Sequence, residues 1–556
     1  MTIAGGRVIV LGLDGATYDV LLPRVERGQM PNLAALLNSG VWGGLRSTIP
    51  PFSAQAWASM VTGKNPGKHG VVDFWERSRG EAPDDRRNFV SSRRLAGETL
   101  WQIVGRHGLK AGVVNVPVTY PPQAVSGFLV SGLLTPQGRD DFTYPLELVD
   151  LLRTQVPDYN PDPFDLLGTS TGQIATLLGW MEKHERVSRF LIDYEHTDLF
   201  FNVVQALDHL QHSFWDDIVD GSASGDGATL IDRCYQLADE IIGHRLRLLD
   251  EHTSLFVVSD HGFGPARKWF NVNRFLADRG LLTLAGTPGG AVSSLPARLG
   301  LTPEKLRSLV RRVDALGFRR WIFRQSRVTL GRKIDRALTL PVIWPETQAF
   351  SGSPATEGIY INLSGREPQG TVEPGTAYEA LRGRLMAELL ELKDPETGEP
   401  VVCQVYRREE IYEGPFVDLL PDLVFDLGDG PYLASDSLSA GQAVETLPAD
   451  LLQGRHRSVG VLAATGAHIR SNAGEAVEGA RIIDVAPTVL YALGLPLPDD
   501  MDGRPLLELF AEDFRSAQPV RYAPPQSATP LELDTRYDEQ EAAEMERRLR
   551  GLGYMS

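Results

Sequence analysis

Three short runs of mainly apolar residues, at positions 8–13, 111–116 and 255–259, stand out in the first half of the chain. Runs of this length without polar alternation are typical of parallel strands that are covered on both faces. Residues 31–37 follow a helical pattern instead, and strands that alternate with helices indicate an α/β domain. We therefore predict an α/β fold with a doubly wound, mostly parallel central sheet.

The pattern changes around residues 285–345, where a stretch rich in Lys and Arg interrupts the α/β alternation. We interpret residues 286–345 as a basic helical insertion or cap between two parts of the core, 1–285 and 346–515. Solvated amphipathic helices explain its charge, and a face for an anionic substrate or a membrane surface is the alternative. Residues 516–556 are predicted to form a linker and a C-terminal helical tail, which docks on the surface or supports a homo-oligomer.

Composition excludes several classes of protein. No apolar run reaches the roughly 18–20 residues that cross a bilayer, and the first run is too short for a signal peptide, so we expect a cytoplasmic protein without a transmembrane segment. The two cysteines, Cys234 and Cys403, form no CxxC pair, so any metal must be held by Asp and His. A net charge of −17 argues against nucleic acid as the main partner. A small anionic substrate remains compatible, because bound cations can dominate the local field.

Six residues of metal-binding type follow the predicted strands or stand in nearby segments: Asp14, Asp208, His212, Asp260, His261 and His456. Asp14 and Asp260 come directly after apolar runs, where sheets of this kind collect ligands. Asp260 could also be an acidic strand end, and His456 alone could be a surface residue. If the six converge with Ser53, they supply the parts of a two-metal phosphoryl-transfer site.

Local patterns around Ser53 and Asp208 leave more than one interpretation open. Ser53 follows two prolines and precedes helix formers that end at Gly63, which predicts a helix with Ser53 at its N-cap. A hydroxyl there suits a phosphate, but capping alone would explain it. Asp208 and His212 share a helical face through their i, i+4 spacing. His209 and His212 are a competing pair, and a polar helix face needs no metal.

Sequence blocks that recur in one order carry a family resemblance. They are LGLDG at 11–15, Ser53 followed by VTGKNPGKHG at 61–70, DHLQH at 208–212, SDHG at 259–262, GRH at 454–456, and IDVAPTVLYALGLP at 483–496 with DGRP at 502–505. Together these blocks resemble the alkaline phosphatase superfamily, in its type I phosphodiesterase/nucleotide pyrophosphatase-like branch. The resemblance spans residues 7–510 apart from the basic insertion.

The resemblance implies an alkaline phosphatase-like fold and two divalent metal ions, with zinc expected and manganese as the alternative. It implies that Asp208, His212 and His456 hold one ion. Asp14, Asp260 and His261 would hold the other, with Ser53 as the nucleophile beside it.

The expected activity is hydrolysis of a phosphodiester or phosphomonoester through a phosphoserine. A phosphomutase that uses the same phosphoserine is an alternative, and a binding protein that keeps only the fold is a remoter one.

Two positions depart from the nucleotide pyrophosphatase pattern. Ser53 stands where those enzymes typically have Thr, and Ala56 stands where they have an Asn that binds a phosphoryl oxygen. Gln55, Asn115 and Lys64 are candidate substitutes for that substrate contact. The sequence after Ser53 also lacks the Pro and Arg of the sulfatase pattern, which disfavours a sulfatase.

Overall fold

The structure is a computed structural model that describes residues 6–76, 89–162, 171–220, 225–285, 341–438, 441–448, 452–471, 476–526, 537 and 539–551. Most of the predicted basic insertion, residues 286–340, lies outside the described residues.

A nine-stranded sheet forms the centre of the described chain. Numbered along the chain, its strands are β1 (Arg7–Leu13), β2 (Val41–Arg46), β3 (Ala111–Val116), β4 (Gly127–Ser131), β5 (Thr143–Tyr144), β6 (Leu199–Val204), β7 (Thr253–Val258), β17 (Val459–Gly466) and β18 (Ala476–Arg481). Across the sheet their order is β18-β2-β17-β7-β1-β6-β3-β4-β5. The strands β7, β1, β6, β3 and β4 are parallel neighbours. The predicted α/β fold with a mostly parallel sheet is confirmed.

Helices cover both faces of the sheet. The α-helices of the described residues are Tyr18–Glu26, Pro31–Ser39, Ser53–Thr62, Pro66–His69, Leu100–Arg106, Leu148–Gln155, Thr171–Tyr194, Ala206–Asp220, Asp226–Leu246, Val272–Asp278, Thr376–Leu390, Arg408–Ile411, Val485–Ala492, Glu512–Ala517 and Glu539–Gly551. Of these, Val272–Asp278 and Thr376–Leu390 pack in a separate apolar core. The strands alternate their side chains between two apolar cores: Ile9 and Leu11 face one, and Val8 and Val10 face the other. Burial on both faces explains why these strands are continuous apolar runs.

A smaller subdomain separates β7 from β17. It contains a four-stranded sheet, β10 (Ala349–Phe350), β11 (Gly358–Ile361), β13 (Leu423–Asp426) and β12 (Gln404–Arg407), and a three-stranded sheet, β14 (Tyr432–Ser435), β9 (Lys268–Asn271) and β15 (Val444–Thr446). These sheets share an apolar core of their own. The stretch predicted as the second part of the core, 346–515, is therefore divided: its strands join the central sheet only from β17 onward.

Two short strands, β8 (Gly262–Pro265) and β16 (Gly454–Arg457), pair beside the central sheet, and β19 (Leu497–Pro498) pairs with β20 (Tyr522–Ala523). The C-terminal helix Glu539–Gly551 packs Met545 and Leu549 into an apolar cluster that contains Phe52. None of the helices in the described part of the chain is long and apolar enough to span a bilayer.

Candidate active site

The carboxyl ends of three adjacent parallel strands bring the acidic residues of the site together. Asp14 follows β1, which lies between β6 and β7. Asp260 follows β7, and Asp208 lies in the first turn of the helix that follows β6. His456 arrives from β16, which pairs with β8 directly after His261. All six predicted ligands are buried and lie at this one edge of the sheet, where α/β folds bind ligands.

Ser53 is the first residue of the Ser53–Thr62 helix, and Phe52 occupies the N-cap position. The predicted N-cap role of Ser53 is therefore wrong by one residue. Its hydroxyl Oγ lies 3.1 Å from Nε2 of His261, and the side chain is fully buried. Gly63 ends the helix with a φ of 67°, as predicted from its position. This geometry directs the Ser53 hydroxyl into the site, at the positive end of the helix dipole.

The first group of potential metal ligands consists of Asp208, His212 and His456. Oδ1 of Asp208 lies 3.1 Å from Nε2 of His456 and 3.5 Å from Nε2 of His212. The two Nε2 atoms are 3.0 Å apart. Ligand atoms of a tetrahedral zinc ion lie about 3.3 Å apart, since each is about 2.0 Å from the metal. The three side chains are therefore spaced to bind one divalent ion.

The second group consists of Asp14, Asp260 and His261. Nε2 of His261 lies 3.2 Å from Oδ2 of Asp260 and 3.7 Å from Oδ1 of Asp14. The groups adjoin each other, because the same Nε2 is 4.0 Å from Oδ1 of Asp208. Ser53 is within hydrogen-bond distance of His261, so its hydroxyl borders this second group.

Hydrogen bonds to the backbone orient all three imidazoles. Nδ1 of His212 lies 3.1 Å from the carbonyl oxygen of Gly454, Nδ1 of His456 lies 3.0 Å from that of Pro51, and Nδ1 of His261 lies 3.1 Å from that of Gly262. Carbonyl oxygens only accept, so each Nδ1 carries the hydrogen and donates it. The Nε2 lone pairs are then available to a metal, an arrangement typical of metal-ligating histidines.

Burial and crowding of like charges shift the carboxyl groups. Burial, together with the charges of Asp260 and Asp208, raises the pKa of Asp14 well above its ordinary value. Burial and Asp208 raise the pKa of Asp260 to about 8. Three buried carboxyl groups this close together require protons or cations to balance them.

The donor set fits divalent ions. Oδ1 of Asp14 and Oδ2 of Asp260 are buried without a hydrogen-bond partner, whereas the other oxygens of these carboxylates accept from the indole N–H of Trp57, at 3.1 Å, and from the backbone N–H of Gly15, at 3.3 Å. Each carboxylate is thus anchored through one oxygen and presents the other to the group. Asp and His ligands suit zinc, and they also accept manganese.

The three residues predicted to contact the substrate, Gln55, Asn115 and Lys64, do not lie together as the metal ligands do. Gln55 donates its amide N–H to the carbonyl oxygen of Pro50. Asn115 lies at the end of β3, two strands from β1. Lys64 follows the far end of the Ser53–Thr62 helix and pairs with Asp500; a helix rises about 1.5 Å per residue, which places Lys64 roughly 16 Å along the chain axis from Ser53. The structure does not bring Lys64 together with the nucleophile.

Among the described residues, two sets of ligand atoms lie close enough to share an ion: Asp208 with His261 and His456, and Asp14 with Asp260 and His261. His212 adjoins the first set through its contacts with Asp208 and His456, and His209 belongs to neither set. Two residues of the site were not foreseen from the sequence. Trp57 lies one turn after Ser53 and would have been recognisable only as an apolar helix residue. Gln205 precedes the helix that carries Asp208, and a single Gln after a strand carries no signal of its own.

The profile of the type I phosphodiesterase / nucleotide pyrophosphatase family matches residues 8–448, most of the chain. The protein is thus a hydrolase of phosphate esters. The chain belongs to the type I phosphodiesterase / nucleotide pyrophosphatase family, the branch that the ordered sequence blocks predicted. No curated protein matches the chain.

Solved structures similar to this chain include three with low sequence identity. Murine ectonucleotide pyrophosphatase / phosphodiesterase 5, an inactive variant in complex with AMP, is 15% identical, with 91% of this chain and 100% of that chain covered and a TM-score of 0.46. Phosphonoacetate hydrolase from Sinorhizobium meliloti 1021, in complex with phosphonoacetate, is 15% identical, with 88% and 95% covered and a TM-score of 0.49. A mutant of alkaline phosphatase PafA is 14% identical, with 92% and 100% covered and a TM-score of 0.47.

Proposed function

We propose that this protein is a phosphodiesterase that depends on two divalent metal ions and uses Ser53 as its nucleophile. The observation that carries the proposal is the convergence of three carboxylates and three Nε2 atoms beside the Ser53 hydroxyl. Such a set is the expected environment for two-metal phosphoryl transfer. Family membership supports the same reaction class.

Each group of ligands has a separate place in the proposal. Asp208, His212 and His456 would hold one ion, and Asp14, Asp260 and His261 would hold the other. When bound, the ions would lower the pKa of the nucleophile and neutralise charge on the phosphoryl oxygens. We propose zinc as the ion, because half of the protein ligands are imidazoles.

Ser53 contributes through its position. Its Oγ lies 3.1 Å from Nε2 of His261, and the helix that starts at Ser53 directs the positive end of its dipole toward a bound phosphate. Attack by this oxygen on phosphorus would release one alcohol of the diester and leave the remaining monoester group bonded to Ser53. Water would then cleave the bond to Ser53 and release a phosphate monoester.

Hydrolysis of bis-p-nitrophenyl phosphate and p-nitrophenyl phosphate, each in zinc and in manganese, tests the proposal. We expect higher kcat/KM for the diester, and a loss of at least about a thousandfold in Ser53→Ala with an unchanged circular dichroism spectrum. Ser39→Ala, at a serine bonded to Leu36 and Thr465 away from the ligands, is the matched control. Full activity of Ser53→Ala would exclude Ser53 as the nucleophile, and an isomeric phosphate ester as the product would indicate a mutase.

A further inference from the structure

Two buried amide side chains, Asn115 and Gln205, lie at the same edge of the sheet as the metal ligands. Gln205 directly follows β6 and precedes Asp208 by three residues. Asn115 is near the end of β3, the other neighbour of β6. Adjacent strands lie about 4.8 Å apart, so the two amides extend the site by one or two strand spacings beyond Asp14. They lie on the side of Asp14 away from Asp260, because β6 and β3 follow β1 in the sheet and β7 is on its other side.

Hydrogen bonds fix which way both amides face. Nδ2 of Asn115 donates to the carbonyl oxygen of Val203 at 3.3 Å and to Oε1 of Gln205 at 3.4 Å. Rotating the Asn115 amide would set its oxygen against the Val203 carbonyl, and rotating the Gln205 amide would set two NH₂ groups together. The orientation leaves one acceptor, Oδ1 of Asn115, and one donor, Nε2 of Gln205, both buried without a partner.

Unpartnered polar atoms at this depth call for an occupant. Buried polar side chains almost always have a hydrogen-bond partner, and those without one concentrate at functional sites or bind a water. Asn115 and Gln205 are 0% and 2% exposed, and Ser53 is 0% exposed. The two amides are therefore about as enclosed as the nucleophile.

The backbone at this edge is strained. Asn115, Val118 and Leu134 all have left-handed conformations, with φ of 61°, 61° and 76°. Asn tolerates this region, but a β-branched residue such as Val rarely adopts it. Strain of this kind is usually retained where the surrounding structure has a function to maintain. Val118 and Leu134 follow β3 and β4, so the strained segments adjoin the two amides on the side of the apolar cluster with Phe52.

We propose that Asn115 and Gln205 together bind a hydroxyl group on the alcohol part of the phosphodiester substrate. A hydroxyl donates one hydrogen bond and accepts another, so it satisfies Oδ1 of Asn115 and Nε2 of Gln205 at once. A buried water is the competing occupant. The inference rests on the proposed phosphodiesterase activity and narrows the substrate class to diesters of hydroxyl-bearing alcohols.

Two synthetic diesters with the same leaving group test this inference: p-nitrophenyl glyceryl phosphate and p-nitrophenyl propyl phosphate. They differ only in the hydroxyls of the retained alcohol. Rates of Ser53→Ala are subtracted, because the 2-hydroxyl of the glyceryl group can itself displace p-nitrophenol. We expect the wild-type kcat/KM to be at least about tenfold higher for the glyceryl diester, because a site that hydrogen-bonds a hydroxyl discriminates against the analogue without it. Gln205→Met keeps the side-chain length but removes the donor, and should lower kcat/KM for the glyceryl diester toward that for the propyl diester.

Gln123→Met is the matched control. Gln123 lies in the loop after β3, and its amide donates to the carbonyl oxygen of Ser92 at 3.0 Å, so the same substitution should leave the preference intact. Gln205→Glu, which replaces the donor with an acceptor of the same shape, serves if Gln205→Met does not fold.

Each result separates the two proposals. Equal kcat/KM of the wild type on both diesters would overturn the hydroxyl site and leave the phosphodiesterase in place. An equal loss on both diesters in the Gln205 variant would assign the amides to a buried water or a structural role. Hydrolysis of neither diester by the wild type would overturn the proposed function itself.

Discussion

The Nε2 atoms of His212 and His456 lie 3.0 Å apart, although both imidazoles carry their hydrogen on Nδ1. Each Nδ1 donates to a backbone carbonyl oxygen, so two lone pairs face each other across this short distance. Protonation of His456 would not relieve the repulsion at neutral pH, because burial and the neighbouring His261 lower its pKa to about 3. A shared cation satisfies both nitrogens, and this contact is the local reason to place a metal there.

Replacing one of these imidazoles should remove one metal ion. We expect His456→Ala to lower the metal content from two ions per chain toward one, because the first group loses a ligand. The rate of diester hydrolysis should fall by at least about a hundredfold. Elemental analysis and rate measurements check this. His252→Ala, at a side chain that is 72% exposed, should retain both ions. Two ions in His456→Ala would contradict the assignment.

Removal of the metal ions should destabilise the protein more at pH 8 than at pH 5. Burial and Asp208 raise the pKa of Asp260 to about 8, above the value of about 3.9 in an unfolded chain. The folded metal-free protein therefore holds a proton that the unfolded chain releases. The stability from this carboxyl is complete below about pH 4 and is lost as the pH rises toward 8.

Bound cations replace that proton, so the metal-loaded protein should not show the same loss. Ions at a hundred times their Kd would stabilise the fold by about 3 kcal/mol per site. Scanning calorimetry of loaded and chelator-treated protein from pH 5 to pH 8.5 gives the difference in Tm directly. If the difference in Tm stays constant or narrows with rising pH, the metal ions do not replace the protons of these carboxyl groups.

Trp57 is expected to position a metal ligand. Its indole N–H donates to Oδ2 of Asp14 at 3.1 Å, and loss of such a supporting bond typically weakens metal affinity or activity about 10–100-fold. Trp57→Phe should therefore raise the metal concentration needed for half-maximal activity by that factor. Trp101→Phe is the matched control, since the indole N–H of Trp101 is buried without a partner. Equal effects of the two substitutions would reduce Trp57 to a packing role.

The C-terminal helix should contribute to global stability. Met545 is 1% exposed and packs in the apolar cluster that contains Phe52. Met545→Ala is expected to lower the free energy of unfolding by about 2–5 kcal/mol, because it removes buried surface and leaves a cavity. Leu390→Ala, at a side chain that is 49% exposed, should change it by less than about 0.5 kcal/mol. Denaturant unfolding measures both, and an unchanged midpoint in Met545→Ala would show that the helix is not docked in solution.

The strands and the ligand types could be predicted from the sequence because each has a local signal. Burial on both faces makes β1 and β3 apolar runs, and Asp14 follows the first of them. The spacing of Asp208 and His212 similarly reflects one turn of helix. These signals need no knowledge of distant parts of the chain.

Features that depend on tertiary contacts were not predictable in the same way. The N-cap of the Ser53 helix is Phe52, because the site holds the Ser53 hydroxyl against His261 and overrides the preference of Ser for capping. The hydrophobic pattern also did not predict the smaller subdomain, because its short strands at 349–446 pair across long loops. The buried, unpartnered amide N–H of Gln205 can be recognised only once β3 and β6 are known to lie side by side. The cytoplasmic location and homo-oligomer stay predictions.

The place of β17 has a consequence for how the enzyme is made. β17 lies between β2 and β7, and β2 joins the rest of the central sheet only through it, with Leu45 opposite Gly460. A nascent chain therefore has an open, unpaired edge on β7 until residues near 466 leave the ribosome, and His456 is delivered by the same stretch. Contacts so distant in sequence make folding slow, so we expect the growing chain to remain both incomplete and catalytically silent until β17 has been made and has paired with β7.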